Sequence, residues 1–138
     1  MTSLTPSTDL LTERLGMAPL VVADADAMVR GSGDAHQTWL NWIVRTRDDG
    51  AEIGYVQATV TGEVAEVAWL IEPAHQGRGL AAEAATAMSD WLVANGVPRI
   101  RAHIHPDHVA SQMVAERIGL VVTDEVDDEG EVVWASPT

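Results

Sequence analysis

The sequence predicts an α+β fold: a mixed, mostly antiparallel sheet of about seven strands with helices packed on it. Three observations carry this. Residues 39–71 read as three strand runs joined by short turns, which forces them to be antiparallel neighbours. Over residues 80–95 the apolar period lengthens from two to three and four, the mark of an amphipathic helix, before another strand begins at Arg99. The chain closes on two strands around the turn Asp127-Asp128-Glu129-Gly130.

In chain order, residues 1–10 are polar, with Ser, Thr and Pro, and are expected to be a loose lead-in. Residues 13–22 read as a strand and 23–31 as a short helix stopped by glycine. Strands are expected at Trp39–Arg47 and Ile53–Thr61, flanking the Asp-Gly of "RDDGAE", and at Val64–Ile71 after the turn at Gly62. Leu80, Ala84, Met88, Trp91, Leu92 and Asn95 share one helical face, and Asn95-Gly96 followed by Pro98 ends that helix. Arg99–His105 is a strand reached through this helix, so it should lie parallel to 64–71. A second helix is expected over about 108–118, then strands at Leu120–Val126 and Glu131–Ala135. The order is β-α-β-β-β-α-β-α-β-β, on one domain spanning residues 1–138.

Composition narrows the function. The chain has 138 residues, no cysteine and a net charge of -13, and all eight basic residues are arginine. Without cysteine there is neither a disulfide nor a thiolate nucleophile or metal ligand. An acidic chain lacks the basic footprint that nucleic acid requires, and weakly favours a cationic partner. No apolar run is long enough for a bilayer span and the start lacks a signal-peptide pattern, so no membrane partner and a cytoplasmic location are expected. The sequence leaves a homodimer open.

"IEPAHQGRGLAAEA" (71–84) joins a strand to a helix through two glycines and Arg78. Such a turn can form a nest of N–H groups for an anion, because first-turn helix amides have no internal partner. It can equally be a ligand-free turn, and it fits neither G-x-G-x-x-G nor G-x-x-x-x-G-K-[ST].

Gln76-Gly77-Arg78-Gly79-Leu80-Ala81 resembles the Q/R-x-x-G-x-G/A signature of GCN5-related N-acetyltransferases (GNATs). "TERLGMAPLVVADADAM", "AEVAWLIEPAHQGRGLAAEA" and "IHPDHVASQMVAERIGL" are similar to successive parts of the branch that includes ribosomal-protein N-terminal acetyltransferases. The resemblance thus covers nearly the whole chain and implies that family's three-layer arrangement. It implies acetyl-CoA as donor, with amides of Gln76, Gly77, Arg78, Gly79, Leu80 and Ala81 on its pyrophosphate. It also implies that main-chain groups of Trp69, Leu70 and Ile71 meet the pantetheine arm, an amide near Leu70 acting as oxyanion donor. His108 stands where asparagine is usual in a pantetheine-contacting segment that also includes Ser111.

Acetyl transfer to an amine needs a base, because an amine of pKa about 10.4 is almost wholly protonated at pH 7. Glu66 occupies the strand where relatives often carry a glutamate, and its alternative is a surface carboxylate. His103 and His105 share a strand face by period two and are the other candidate bases. The tyrosine that many relatives use as acid is replaced by Ala115; Ser111 is the remaining candidate donor, against a role in local capping. Trp39, Trp42 and Tyr55 are candidates for the acceptor pocket, with core packing the alternative for both tryptophans.

His103-Ile104-His105-Pro106-Asp107-His108 also spells H-x-H-x-D-H, a string similar to the ligand set of metallo-β-lactamase-type hydrolases. No histidine follows His108 to complete such a site, so no metal is expected. The reading that results is an acetyl-CoA-dependent N-acetyltransferase acting by direct attack of a small-molecule or peptide amine. A CoA-binding or interaction module without turnover is the alternative, and a zinc hydrolase the more distant one.

Overall fold

The computed structural model describes residues 9–20 and 37–137, so the helix expected over 23–31, and with it a second covering layer, lies outside the described residues. The strands are β1 (Leu10–Leu11), β2 (Leu15–Leu20), β3 (Gln37–Thr46), β4 (Glu52–Thr61), β5 (Val64–Ile71), β6 (Arg99–Ile104), β7 (Val121–Val126) and β8 (Val132–Ala135). The helices are α1 (Leu80–Ala94) and α2 (Val109–Arg117), with a single 3-10 turn at Pro73–His75. These form one sheet in the order β1-β2-β3-β4-β5-β6-β8-β7. Seven strands match the expected order; the eighth is the two-residue β1, which begins on the last residue of what reads as a loose lead-in.

Every pairing is antiparallel except β5 with β6. That exception follows from the connection: β3 to β5 turn tightly, whereas α1 carries the chain back across the sheet. β6 stops at Ile104, one residue short of the predicted end, ahead of Pro106, which has no N–H for a ladder.

Alternation decides which face is covered. Leu40, Trp42 and Val44 on β3, Val56, Ala58 and Val60 on β4, and Ala65, Val67 and Ile71 on β5 are buried beneath α1. Along α1, Leu80, Ala84, Met88 and Leu92 are buried at the expected spacing, and Ala84 and Ala85 are fully enclosed. Such small side chains let the helix come close to the sheet, where Trp42 meets Trp91 edge to face at 5.6 Å. The opposite face of β3–β6 carries Trp39, Thr59, Glu66, Leu70, Arg101 and His103.

Candidate active site

The parallel pair comes apart after three residues. Val64, Ala65 and Glu66 pair with Arg99, Ile100 and Arg101, and nothing beyond them pairs, although β5 runs on to Ile71. Hydrogen-bond parity shows what this exposes. Arg99 N donates to Glu63 O, and Glu72 N donates to Ile53 O. Odd-numbered residues of β5 therefore turn their main-chain groups toward β6, and even-numbered ones toward β4. Past Glu66, the groups of Trp69 and Ile71 face the gap, while those of Leu70 are committed to β4. The Trp69 side chain packs on the helix side against Ala82, Ala85 and Val114.

At the end of this gap lies the glycine turn. Gly77 and Gly79 have φ of 81° and 78°, in the left-handed region that side chains disfavour, and Gly79 is the N-cap of α1 without any side-chain cap. Among the described residues, the first helix amide with a main-chain acceptor is that of Glu83, on Gly79 O, so the amides from Gly77 to Ala82 are free to bind an anion. Two carbonyls that could oppose one are tied back. Gln76 Nε2 donates to Ile71 O at 2.8 Å, and Arg14 Nη1 donates to Arg78 O at 2.9 Å. A Cβ on Gly79 would lie 3.2 Å from Arg117 Nη1. The turn thus offers donors and guanidinium charge, the complement of a phosphate ester.

On the face opposite α1, three titratable groups line up across β5, β6 and the turn after β7. His103 Nδ1 lies 2.7 Å from Asp127 Oδ2, and His103 Nε2 lies 3.6 Å from Glu66 Oε1, beyond hydrogen-bond length. That Nε2 is buried without a partner among the described residues. Burial works against the imidazolium, but the Asp127 hydrogen bond and the charges of Glu66 and Asp127 outweigh it, with Arg101 opposing. The His103 pKa is therefore raised above the usual histidine value. The His103 hydrogen bond in turn holds Asp127 below the usual carboxylate range, helped by the amides of Glu131 and Glu129.

The other candidates separate. His105 lies past β6, exposed, its Nδ1 accepting from Asp107 N at 3.1 Å. His108 is the N-cap of α2, its Nδ1 accepting from Ser111 N at 3.3 Å. Of the histidines of the H-x-H-x-D-H string, His105 and His108 are thus employed in local turns, while His103 alone reaches across the sheet to Asp127. The one cluster of three metal-capable groups among the described residues combines His103 with Asp127 and Glu131 instead. Ala115 is fully enclosed in the core. Trp42 is core, whereas Trp39 is half-buried on the other face, in one row with Thr59 and Glu66. Tyr55, opposite Leu70, is exposed at the rim of the same face. Sequence reading passed over Asp127, taken only as part of a hairpin turn, and over Arg14, Glu83 and Arg117.

A sheet prised open at a parallel pair, with a side-chain-free turn feeding a helix at the opening, defines a class of acyltransferases that draw on a thioester donor. The chain belongs to the Acetyltransferase (GNAT) domain family, whose model matches residues 8–121. It is an acetyltransferase, and its donor is acetyl-CoA. Among solved structures it is similar to an acetyltransferase from Agrobacterium tumefaciens, at 24% identity and a TM-score of 0.74 over 100% of this chain and 99% of that one. It is similar also to a ribosomal-protein-S5-alanine acetyltransferase from Vibrio fischeri, at 15% identity and 0.73 over 94% and 96%. A third is RimL, a ribosomal L7/L12 alpha-N-protein acetyltransferase solved with coenzyme A, at 10% identity and 0.70 over 93% and 97%. At these identities the likeness shows the fold. No curated protein matches the chain in sequence.

Proposed function

We propose that this chain transfers the acetyl group to a primary amine, on a small molecule or a peptide N-terminus, by direct attack on the thioester. The observation that carries the reading is His103, held by Asp127 behind and facing Glu66 in front across 3.6 Å. With its Nδ1 proton engaged by Asp127, Nε2 keeps its lone pair toward the gap. An ammonium group there would meet Glu66 as counter-ion and Nε2 as proton acceptor, satisfying a nitrogen that has no partner among the described residues. The raised pKa suits the task, because it brings the base nearer to the basicity of the amine it must deprotonate.

The neutral amine then attacks the carbonyl; the C–N bond forms, the C–S bond breaks with sulfur keeping the electron pair, and the proton that the new amide nitrogen sheds passes to the departing thiolate or to solvent. The amide near Leu70 that would stabilise the oxyanion is that of Trp69 or Ile71, on either side of it, since these face the gap. With Ala115 enclosed in the core, the thiolate departs without a tyrosine acid, tolerable for a thiol of pKa about 8.5. Amides from Gly77 to Ala81 hold the pyrophosphate. Trp39 and Tyr55 border the acceptor on the Glu66 face, and the names of RimL and the Vibrio fischeri protein support a protein N-terminus among the acceptors. One domain carries both sites, and the cytoplasm, where acetyl-CoA is available, fits the reading.

The test measures CoA release from acetyl-CoA over a panel of amines and N-terminal peptides. Release should require a primary amine and fall at least about hundredfold in His103→Gln, the range for a lost general base. A variant as fast as wild type on every accepted amine would remove His103 from the chemistry.

A further inference from the structure

Arg14 and Glu83, 69 residues apart, are joined more extensively than any other pair of side chains among the described residues. Arg14 Nε and Nη2 both lie 2.7 Å from Glu83 Oε1, and Arg14 N donates to Glu83 Oε2 at 2.9 Å. Thr12 Oγ1 donates to the same Oε2. Burial disfavours the carboxylate, but the bonds from Thr12 and Arg14 prevail, and Glu83 is held below the usual carboxylate range. Glu83 stands in the first turn of α1, and a guanidinium held along its Nε–Nη2 edge leaves Nη1 aimed at Arg78 O.

That last contact bears on the glycine turn. A nest binds an anion only while its N–H groups converge and its carbonyls point elsewhere. Arg78 lies between two left-handed glycines, where the peptide planes are easily rotated. A carbonyl swung inward would set a partial negative charge against the phosphates. Arg14 removes that alternative by binding the Arg78 carbonyl from outside, and its Nη2 lies 3.6 Å from where a Gly79 Cβ would be. Arg117 brings a second guanidinium to the same point, with no carboxylate within 4 Å of it among the described residues. A cavity of about 850 Å³, lined by Arg14, Gly79, Glu83, Thr86, Trp91 and Arg117, opens beside them.

We propose that Arg14, oriented by Glu83, is a positioning residue for the donor: it locks the glycine turn in its anion-binding form by holding the carbonyl of Arg78. The inference rests on the turn binding the donor's pyrophosphate. It concerns only the half of the donor that carries phosphate, which makes it separable from a general effect on folding.

The test titrates wild type, Arg14→Ala, Arg14→Lys and Glu83→Gln with CoA and with pantetheine, which lacks the phosphates, and records thermal unfolding without ligand. In Arg14→Ala the CoA Kd should rise about tenfold while pantetheine affinity stays within twofold. Arg14→Lys and Glu83→Gln, keeping part of the arrangement, should each raise it about threefold. Equal losses on both ligands would mean a structural role only, and an unchanged CoA Kd would overturn the proposal outright. Should Arg14→Ala not fold, Glu83→Gln decides on the same criteria. Gly79→Val separates the two levels. If it too leaves CoA binding intact, the phosphate reading of the turn fails; if it abolishes binding while Arg14→Ala does not, the role of Arg14 alone is refuted.

Discussion

Asp127 and His103 join the last hairpin to the parallel edge of the split sheet, Oδ2 of one lying 2.7 Å from Nδ1 of the other. The hairpin itself aims Asp127. Asp127 N donates to Glu131 O, and Asp127 Oδ1 accepts from the amides of Glu129 and Glu131, so the second carboxylate oxygen is left for the imidazole. The same contact selects the tautomer with its free lone pair toward Glu66.

This coupling gives a pH dependence of definite sign. A base works when neutral, above its pKa, and His103 has a raised pKa, so the acid limb of kcat/KM should lie above the ordinary histidine value of 6.5. Asp127→Asn removes the hydrogen-bonded anion that raises it. The limb should then move to lower pH, and the plateau rate should fall as the base weakens. Profiles of the two proteins superimposing along the pH axis would exclude this coupling from the rate.

Glu83 supplies an acid-stability signature. Its folded pKa is lowered from 4.5, so its contribution is fully present above that value and is lost as pH falls through the folded pKa. Glu83→Gln should cost about 1–2 kcal/mol at pH 7 in urea unfolding. The gap to wild type should close toward pH 3. A difference that stays constant from pH 7 to pH 3 would mean that ionisation of Glu83 contributes nothing.

Most of the architecture was legible because it is local. Strand period, helix period and the Gly-Pro stops mark seven strands and both described helices, and the strand-turn-helix around Gly79 carries the family likeness. The contacts that finish the site are not local. Nothing in the run Asp124–Glu131 distinguishes Asp127 from its acidic neighbours, since hairpin register alone turns it toward His103. Arg14 and Glu83 belong to separate patterns and meet only when β2 lies beside α1. One missed distinction was available in the spacing: Trp39 and Trp42 are three residues apart on a strand, so they must take opposite faces. His105 was paired with His103 by extending the strand one residue toward Pro106, further than it runs.

The two tryptophans should therefore respond differently. Trp42 is fully enclosed and stacked edge-on against Trp91, so Trp42→Ala should cost about 3–5 kcal/mol of stability. Trp39→Ala, at a half-buried position in the Glu66 row, should cost less and should raise the KM for the amine while leaving that for acetyl-CoA unchanged. Chemical denaturation with steady-state kinetics on both substrates checks the pair; equal destabilisation without a change in amine KM would return Trp39 to the core.

Gly54 tests the split itself. It pairs with Ile71 at the tip of β5, where β4 is the only strand neighbour left among the described residues. A Cβ there would stand 1.9 Å from the carbonyl oxygen of Leu70, a backbone atom that cannot rotate away. Gly54→Ala must therefore push the end of β5 sideways, toward the gap into which Trp69 and Ile71 direct their main-chain groups. Overpacking of this kind costs about 1–3 kcal/mol. If those groups receive the pantetheine arm, the same displacement should weaken pantetheine and CoA by similar factors, the opposite of the selectivity expected for Arg14→Ala. Titration of the variant with both ligands, alongside its unfolding free energy, checks this. A destabilised Gly54→Ala that binds both ligands as wild type does would detach the gap from the donor arm.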